Sequence, residues 1–238
     1  MVSLFTLMGD KHIESFDEKS IMAHRILGFK KVEYENNIAS MDSLTKDIGK
    51  SVGMFPIIRH QGIVIYDITK LETFFKEHPP AISKDIYNKP YFVKMITEWA
   101  LDSFSKKARF FLLHEPENWG KLKRYLTNIY PGDEQVEILN SIKNVSYVVY
   151  KTSLFARLDY AGKLDALDQD FSMIEYWASQ SEFLAGDDVS TADFAVFAIL
   201  HLLFHPNIDE TATFKDKYPY MNAWAVKFDA LTRNGYTK

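Results

Sequence analysis

The chain has 238 residues, which fits one large domain or two of modest size. It carries 28 Lys and Arg against 32 Asp and Glu, and a formal net charge of −4 gives no reason to expect a nucleic-acid or anionic-membrane partner. It has no cysteine, which excludes disulfides, thiolate metal sites and a cysteine nucleophile, and without a signal-peptide pattern or an apolar run of membrane-spanning length we expect a cytoplasmic protein.

The N-terminal third alternates strands and helices. Apolar and β-branched runs predict strands at 2–8, 32–35, 55–59 and 63–66, and helical spacing predicts helices at 15–27, 44–50 and 67–76. The last two strands flank His60-Gln61-Gly62, a turn typical of a hairpin. The order βαβαββα, with an antiparallel final pair, is the thioredoxin-like layout, which we assign to residues 1–78.

The remainder of the chain is predicted to be helical. His78-Pro79-Pro80 ends the third helix and opens a linker, assigned to residues 79–90. Interruptions are expected at Pro131-Gly132, Gly162, Gly186 and Pro206. Helical periodicity covers 91–113, 119–129, 134–158, 164–179, 191–204 and 219–231. We therefore expect residues 91–238 to form an all-α domain.

The most specific motif spans residues 183–194, Phe-Leu-Ala-Gly-Asp-Asp-Val-Ser-Thr-Ala-Asp-Phe. Ser190 and Asp193 have the spacing of a capping box, although Glu or Gln fits the second position better than Asp. Val189 and Phe194 have the spacing of a hydrophobic staple. The motif therefore predicts a helix that begins after Ser190, and its role is structural.

This motif closely resembles the capping box and staple of the buried helix in glutathione transferases. Gly53-Met54-Phe55-Pro56 is similar to the family's string before the third strand, in which the proline is cis. The segment from Tyr218 to Trp224 resembles the family's last-helix pattern, YP-x-x-x-x-W. The resemblance covers essentially the whole chain. It implies an α/β thioredoxin-like N-terminal domain, an all-α C-terminal domain, a homodimer, and glutathione as co-substrate with no metal.

The same resemblance implies a glutathione site with departures from the family pattern. The backbone of Phe55, before cis Pro56, would pair with the cysteinyl backbone of glutathione. Asp67-Ile68 stands where the family carries Glu-Ser or Gln-Ser for the γ-glutamyl group. Asp67 keeps an acid and Ile68 removes the hydroxyl, although Thr69 would restore one in a different helix register. Asp67 is equally suited to be a plain helix N-cap.

The position that would activate the glutathione thiol departs most from the family pattern. No tyrosine precedes Tyr34, so the family's tyrosine mechanism is absent. The family's first-helix pattern places Glu14 at its serine, where a carboxylate would raise the thiol pKa. A shift of one residue makes Ser15 the catalytic hydroxyl. Alternatively, Ser15 only N-caps the helix, with Glu18 completing a capping box.

Other candidates have simpler explanations. His201 and His205 have an i, i+4 spacing that metal ligands can show, but packing histidines are the favoured interpretation and no metal is expected. A set of aromatic residues could line a pocket for an apolar co-substrate, with helix packing as the alternative. These residues are Tyr91, Trp99, Phe104, Phe110 and Phe111.

Two functions are consistent with the sequence. The first is a transferase, serine-type if active, that conjugates glutathione to a small apolar electrophile or only binds glutathione. The second is a non-catalytic binding or scaffold protein that resembles metaxins and uses the transferase fold for protein contacts. Because fold does not determine function, the choice depends on the site. Neither function involves a nucleic acid or a membrane.

Overall fold

A computed structural model describes residues 2–38, 55–71, 74–75, 91–129, 132, 137, 140, 143–144, 147 and 150–233. The N-terminal domain contains a four-stranded sheet in the order β2-β1-β3-β4. Strand β1 pairs in parallel with β2 and antiparallel with β3, which pairs antiparallel with β4. The predicted thioredoxin-like layout is confirmed. The strands are β1 Val2–Thr6, β2 Tyr34–Ile38, β3 Ile57–His60 and β4 Ile63–Ile65.

The conformation of the turn between β3 and β4 accounts for the glycine in its sequence. Gln61 and Gly62 have φ angles of 49° and 82°. Positive φ at both central residues matches the right-handed twist of a two-residue hairpin, and glycine adopts it without steric cost. Strands β1 and β2 are displaced from their predicted ranges: β1 ends at Thr6, and β2 begins at Tyr34.

Helix α1, Glu18–Phe29, begins later than predicted. Its N-cap is Asp17, whose Oδ2 accepts the backbone N–H of Ser20 at 2.8 Å. The alternative that Ser15 caps this helix is therefore wrong. Ser15 belongs instead to a folded β1–α1 loop, residues 7–17, in which Phe16 N–H donates to the carbonyl of Met8 at 2.9 Å. The loop closes so tightly that a Cβ on Gly9 would lie 2.2 Å from the carbonyl oxygen of Glu14.

The third helix of this domain is described in part. It opens with a 3₁₀ turn, Ile68–Lys70, and Leu71, Phe74 and Phe75 are buried, as their apolar spacing predicted. The predicted helix at 44–50, the residues Gly53 and Met54, and the linker at 79–90 lie outside the described residues.

The secondary-structure elements described in the C-terminal domain are helices. Residues 137, 140, 143, 144, 147 and 150 are helical, and within the described ranges no helix has the length and hydropathy needed to cross a membrane. The helices are α2 Phe92–Glu98, a π-helical segment Trp99–Phe104, α3 Ser105–His114, α4 Pro116–Ile129, α5 Leu154–Arg157, α6 Tyr160–Gln180, α7 Thr191–Leu203, α8 Asp209–Lys217 and α9 Pro219–Thr232.

Three helix predictions need correction. The helix predicted at 134–158 is interrupted by a turn at residues 151–153, and Ser153 caps the short α5. Gly162 does not separate helices: Asp159 caps α6 by accepting the N–H of Gly162 at 2.8 Å, inside the first turn. Helix α8 was missed because its sequence is mostly polar and buries only Thr211.

Helix α7 is the centre of the C-terminal core, and the predicted capping box is present. Asp193 Oδ2 accepts the N–H of Ser190 at 2.9 Å and its hydroxyl at 2.7 Å. Asp193 Oδ1 accepts the N–H of Leu184 at 2.9 Å and the indole N–H of Trp224 at 3.1 Å. This one carboxylate therefore joins the start of α7 to the preceding turn and to α9. Val189 and Phe194, the predicted staple, are both buried.

Candidate functional site

The end of the sheet packs against the helical domain beside the β1–α1 loop. Phe55 is buried in a cluster separate from the main core, formed by side chains of the sheet end and α4. Phe16, next to Ser15, packs against both clusters. The structure thus brings the start of β3 and the β1–α1 loop together. The cluster consists of Leu7, Met8, Phe55, Ile57, Leu122 and Leu126, with Phe5, Leu113, Trp119 and Tyr125 packed around it.

The peptide bond between Phe55 and Pro56 is cis, as the resemblance predicted. The β1–β3 ladder ends at the pair Phe5 and Ile57, so the backbone of Phe55 lies beyond the last ladder pair. Both Phe55 and Pro56 are buried as residues. Their backbone therefore lies at the end of the sheet, next to the β1–α1 loop.

Ser15 is fully enclosed. Its exposed fraction is 0%, and among the described residues its Oγ has no hydrogen-bond partner. A buried hydroxyl without a partner normally costs free energy, so its donor is available to a ligand atom. The enclosure also means that a thiol reaches Ser15 Oγ only if the β1–α1 loop shifts.

Asp67 and Ile68 are placed differently from each other. Asp67 is exposed at the start of the 3₁₀ turn, and its carbonyl accepts the N–H of Lys70 at 3.0 Å. The side chain of Ile68 is 5% exposed and belongs to the main core rather than to the Phe55 cluster. The side chain of Asp67 is therefore exposed at this position, whereas that of Ile68 is enclosed in the core.

Sequence reasoning missed a row of buried ion pairs along the β1–α1 loop. Glu14 Oε1 lies 2.5 Å from Arg25, and its Oε2 lies 3.5 Å from His201 Nε2 on α7. Burial alone would raise the pKa of Glu14, but His201 and the charge of Arg25 lower it to about 2. Glu14 is therefore a paired anion bound to the helical domain, and its carboxylate is engaged by Arg25.

A second pair anchors the front of the loop. Asp10 Oδ2 lies 2.7 Å from His205 Nε2, with both side chains almost fully buried. Asp10 Oδ1 accepts the N–H groups of His12 and Ile13 at 2.6 and 2.9 Å. Burial would raise the pKa of Asp10, but the His205 contact and these two N–H groups lower it overall. The loop is thus held to the end of α7 by a charge-assisted contact.

The start of α1 carries a third ionic group. Arg109 on α3 donates through Nε to both carboxylate oxygens of Glu18, at 3.0 and 2.8 Å, and its Nη2 contacts Asp17. Ser105 Oγ donates to Glu18 at 2.9 Å. Burial and the charge of Glu18 raise the pKa of Asp17, whereas Arg109 lowers the pKa of Glu18 despite its burial. One guanidinium therefore compensates two neighbouring acids.

The histidine pair and the set of five aromatic residues are explained by packing and by ion pairs. His201 and His205 face Glu14 and Asp10, and among the described residues no group of acids and histidines could hold a metal ion. The five aromatic residues do not line one pocket. Phe104, Phe110 and Phe111 are core residues, whereas Tyr91 and Trp99 border a surface groove on α2.

Comparisons with known proteins agree with this architecture. Residues 149–231 match the family model of the glutathione S-transferase C-terminal domain. A sequence comparison with curated proteins gave no significant match.

Solved structures with the same fold are distant in sequence. Glutathione transferase GSTFuA3 from Phanerochaete chrysosporium has a TM-score of 0.71 at 12% identity, over 99% of this chain and 98% of that one. A glutathione S-transferase from Rhodospirillum rubrum has a TM-score of 0.61 at 16% identity, over 100% and 94%. The β-etherase LigF from Sphingobium has a TM-score of 0.59 at 16% identity, over 96% and 95%.

Proposed function

We propose that this chain, which belongs to the glutathione transferase superfamily, binds glutathione at the end of its sheet and presents the thiol to a small apolar electrophile. The observation that carries this proposal is the position of Phe55 at the end of the sheet, beyond the last β1–β3 pair and beside the β1–α1 loop. An extended peptide can add to the backbone of Phe55 as a short antiparallel strand. In superfamily members this pairing is made with the cysteinyl residue of glutathione.

Two further contacts with glutathione complete the proposed site. Asp67, exposed next to the 3₁₀ turn, would accept the γ-glutamyl ammonium. Ser15 Oγ, which has no partner among the described residues, would donate to the thiolate and lower the thiol pKa. The apolar electrophile would contact the partly buried Phe16, Trp119 and Tyr125 around the Phe55 cluster. We place this activity in the cytoplasm.

Calorimetric titration with glutathione tests the proposal. The wild type should bind, Asp67→Ala should weaken binding by about tenfold through loss of a charged contact, and Asp187→Ala should not change it, because Asp187 is an exposed acid in the other domain. Thiolate absorbance in the ultraviolet then separates binding from activation, and it should fall in Ser15→Ala. No detectable heat at millimolar glutathione would exclude the proposed function.

The second candidate is a non-catalytic binding protein of this fold. The complete burial of Ser15 favours it, and so does the core position of Ile68 in place of a serine hydroxyl. In that case glutathione either fails to bind or binds without thiolate formation. Wild-type binding with no thiolate absorbance, unchanged in Ser15→Ala, would select this function.

We also propose a homodimer that uses the exposed face of α2 and α6. Tyr91, Phe92 and Met95 are 88%, 41% and 49% exposed, and Tyr176 on α6 is 63% exposed. The ring centroids of Phe92 and Trp177 lie 6.5 Å apart, so the two helices present one apolar surface. Large exposed apolar surfaces commonly mark interfaces. Met95→Lys should convert the dimer to a monomer in sedimentation, whereas Leu154→Lys, at another exposed apolar residue, should not.

A further inference from the structure

A cavity of about 260 Å³ lies between the β1–α1 loop and helices α7, α8 and α9. None of Phe55, Pro56 and Asp67 borders it. Its lining combines apolar and polar side chains, which is the usual composition of a small-molecule site. Residues that matter for its chemistry are Phe197, Phe204 and Val226 on the apolar side, and His201, Lys215 and Asp229 on the polar side.

The acids around this cavity already have cationic partners. Asp229 Oδ1 lies 2.6 Å from Arg25, and its Oδ2 lies 2.5 Å from Arg233. Glu14 is paired with the same Arg25, and Asp10 with His205. Because each carboxylate is compensated, the cavity does not present an uncompensated negative charge.

Lys215 is the exception among the charged groups of the cavity. Its Nζ lies 5.0 Å from the ring centroid of Phe204, and no carboxylate of the described residues lies within ion-pair distance. Lys217, two residues further along α8, differs because it contacts Asp168 at 2.7 Å. Lys215 therefore gives the cavity an ammonium group that has no anionic partner in the described part of the chain and is held beside an aromatic ring.

His201 closes one side of the cavity beside the aromatic wall. Its ring stacks on Phe197, with centroids 5.1 Å apart and an interplanar angle of 23°. Its Nε2 is engaged by the ionic network of the β1–α1 loop, because it lies 3.4 Å from a guanidinium nitrogen of Arg25 and 3.5 Å from Glu14 Oε2. Lys215 is therefore the group of this wall that we expect to pair with an anion.

We propose that this cavity binds a small aromatic carboxylate. The carboxylate pairs with Lys215, and the ring packs against Phe197, Phe204 and Val226. The volume restricts the ligand to about one ring and a short side chain, because pockets for drug-sized molecules begin at about 300 Å³. The site is independent of the proposed glutathione cleft, so its occupancy does not require glutathione.

Calorimetric titration of the full chain with phenylacetate tests this site. Phenylacetate should bind saturably, phenylacetamide should bind about fivefold more weakly because it lacks the charge, and acetate should not bind because it lacks the ring. Lys215→Ala should weaken phenylacetate binding by about fivefold, and Lys217→Ala should leave it unchanged. Val226→Trp, at a position 64% exposed and therefore tolerant in folding, should occlude the cavity and abolish binding.

Several results would overturn the inference. Absence of saturable binding at about 10 mM phenylacetate would show that the cavity has no useful affinity. Equal binding by wild type, Lys215→Ala and Val226→Trp would place the ligand elsewhere. Loss of phenylacetate binding in saturating glutathione would assign the ligand to the glutathione cleft instead.

Discussion

Two buried acids lie at opposite ends of α7 and are stabilised in different ways. Asp193, at the start of the helix, accepts from Leu184, Ser190 and Trp224, all neutral donors. Burial raises its pKa, and the hydrogen bonds only partly oppose this. Glu14, near the end of the helix, is instead paired with the cation Arg25, and its pKa is lowered to about 2.

The difference separates a region that builds the fold from one that connects domains. The Asp193 network joins neighbouring segments of a single domain. The Glu14 network joins the β1–α1 loop to α1, α7 and α9, and it leaves Glu14 Oε2 and Arg25 Nε without a hydrogen-bond partner among the described residues. Incomplete satisfaction is costly in a purely structural network. The loop that would meet a glutathione thiol is thus held by charges rather than by apolar packing alone.

The largest effect should come from removing the neutral network. Asp193→Ala leaves the buried N–H groups of Leu184, Ser190 and Trp224 without an acceptor, and it should lower the free energy of unfolding by about 4–5 kcal/mol. Urea denaturation measures this value. Asp193→Asn, which keeps one carbonyl acceptor, should lose less. Equal losses in the two variants would contradict the role assigned to the carboxylate.

Breaking the ionic network should cost somewhat less at neutral pH. Arg25→Met leaves Glu14 buried without its cation, and it should lower the free energy of unfolding by about 3–4 kcal/mol. The folded pKa of Glu14 lies below its ordinary value, so Arg25 stabilises the wild type above pH 4.5, and this contribution is lost as the pH falls toward 2.

The difference in the free energy of unfolding between wild type and Arg25→Met should therefore become smaller in acid. Urea denaturation repeated between pH 7 and pH 3 measures it. The double variant with Glu14→Gln should recover part of the lost stability at pH 7. A gap that stays constant with pH would show that Arg25 acts through packing.

His24 allows the same region to be tested by pH. It is buried beside Glu14 and Arg25, its Nδ1 lies 2.7 Å from the hydroxyl of Tyr34, and burial lowers its pKa to about 4. In the unfolded chain this histidine protonates near its ordinary pKa of 6.5, so its contribution to stability is full above that pH and falls as the pH drops toward 4.

This linkage should remove about 2 kcal/mol by pH 5, before most carboxylates titrate. In His24→Leu, this part of the change in the free energy of unfolding with pH should disappear. His114, whose pKa is also lowered to about 4, should preserve a second contribution. If the pH dependence of the free energy of unfolding were unchanged in His24→Leu, His24 would not be the neutral buried imidazole described above.

The sequence predicted the fold better than the site because the two depend on contacts of different range. The capping box, the hairpin turn and the four strands depend on local patterns, and all are confirmed. The pair of Asp10 and His205 joins residues 195 positions apart, and nothing in the spacing of either residue indicates the other. Ser15, Phe55, Pro56, Asp67 and Ile68 remain predictions as ligand-binding residues, because each depends on a bound molecule.

The smallest effect should distinguish the cap hydroxyl from the acid that it contacts. In Ser190→Ala, Asp193 keeps the backbone N–H groups of Ser190 and Leu184 and the indole of Trp224, and loses only the Oγ donor at 2.7 Å. The free energy of unfolding should fall by about 1 kcal/mol, the usual cost of an N-cap. Ser153→Ala, at the cap of the four-residue α5, is the matched control and should cost less, because Ser153 is partly exposed. If Ser190→Ala costs as much as Asp193→Ala, the hydroxyl and not the carboxylate organises the start of α7.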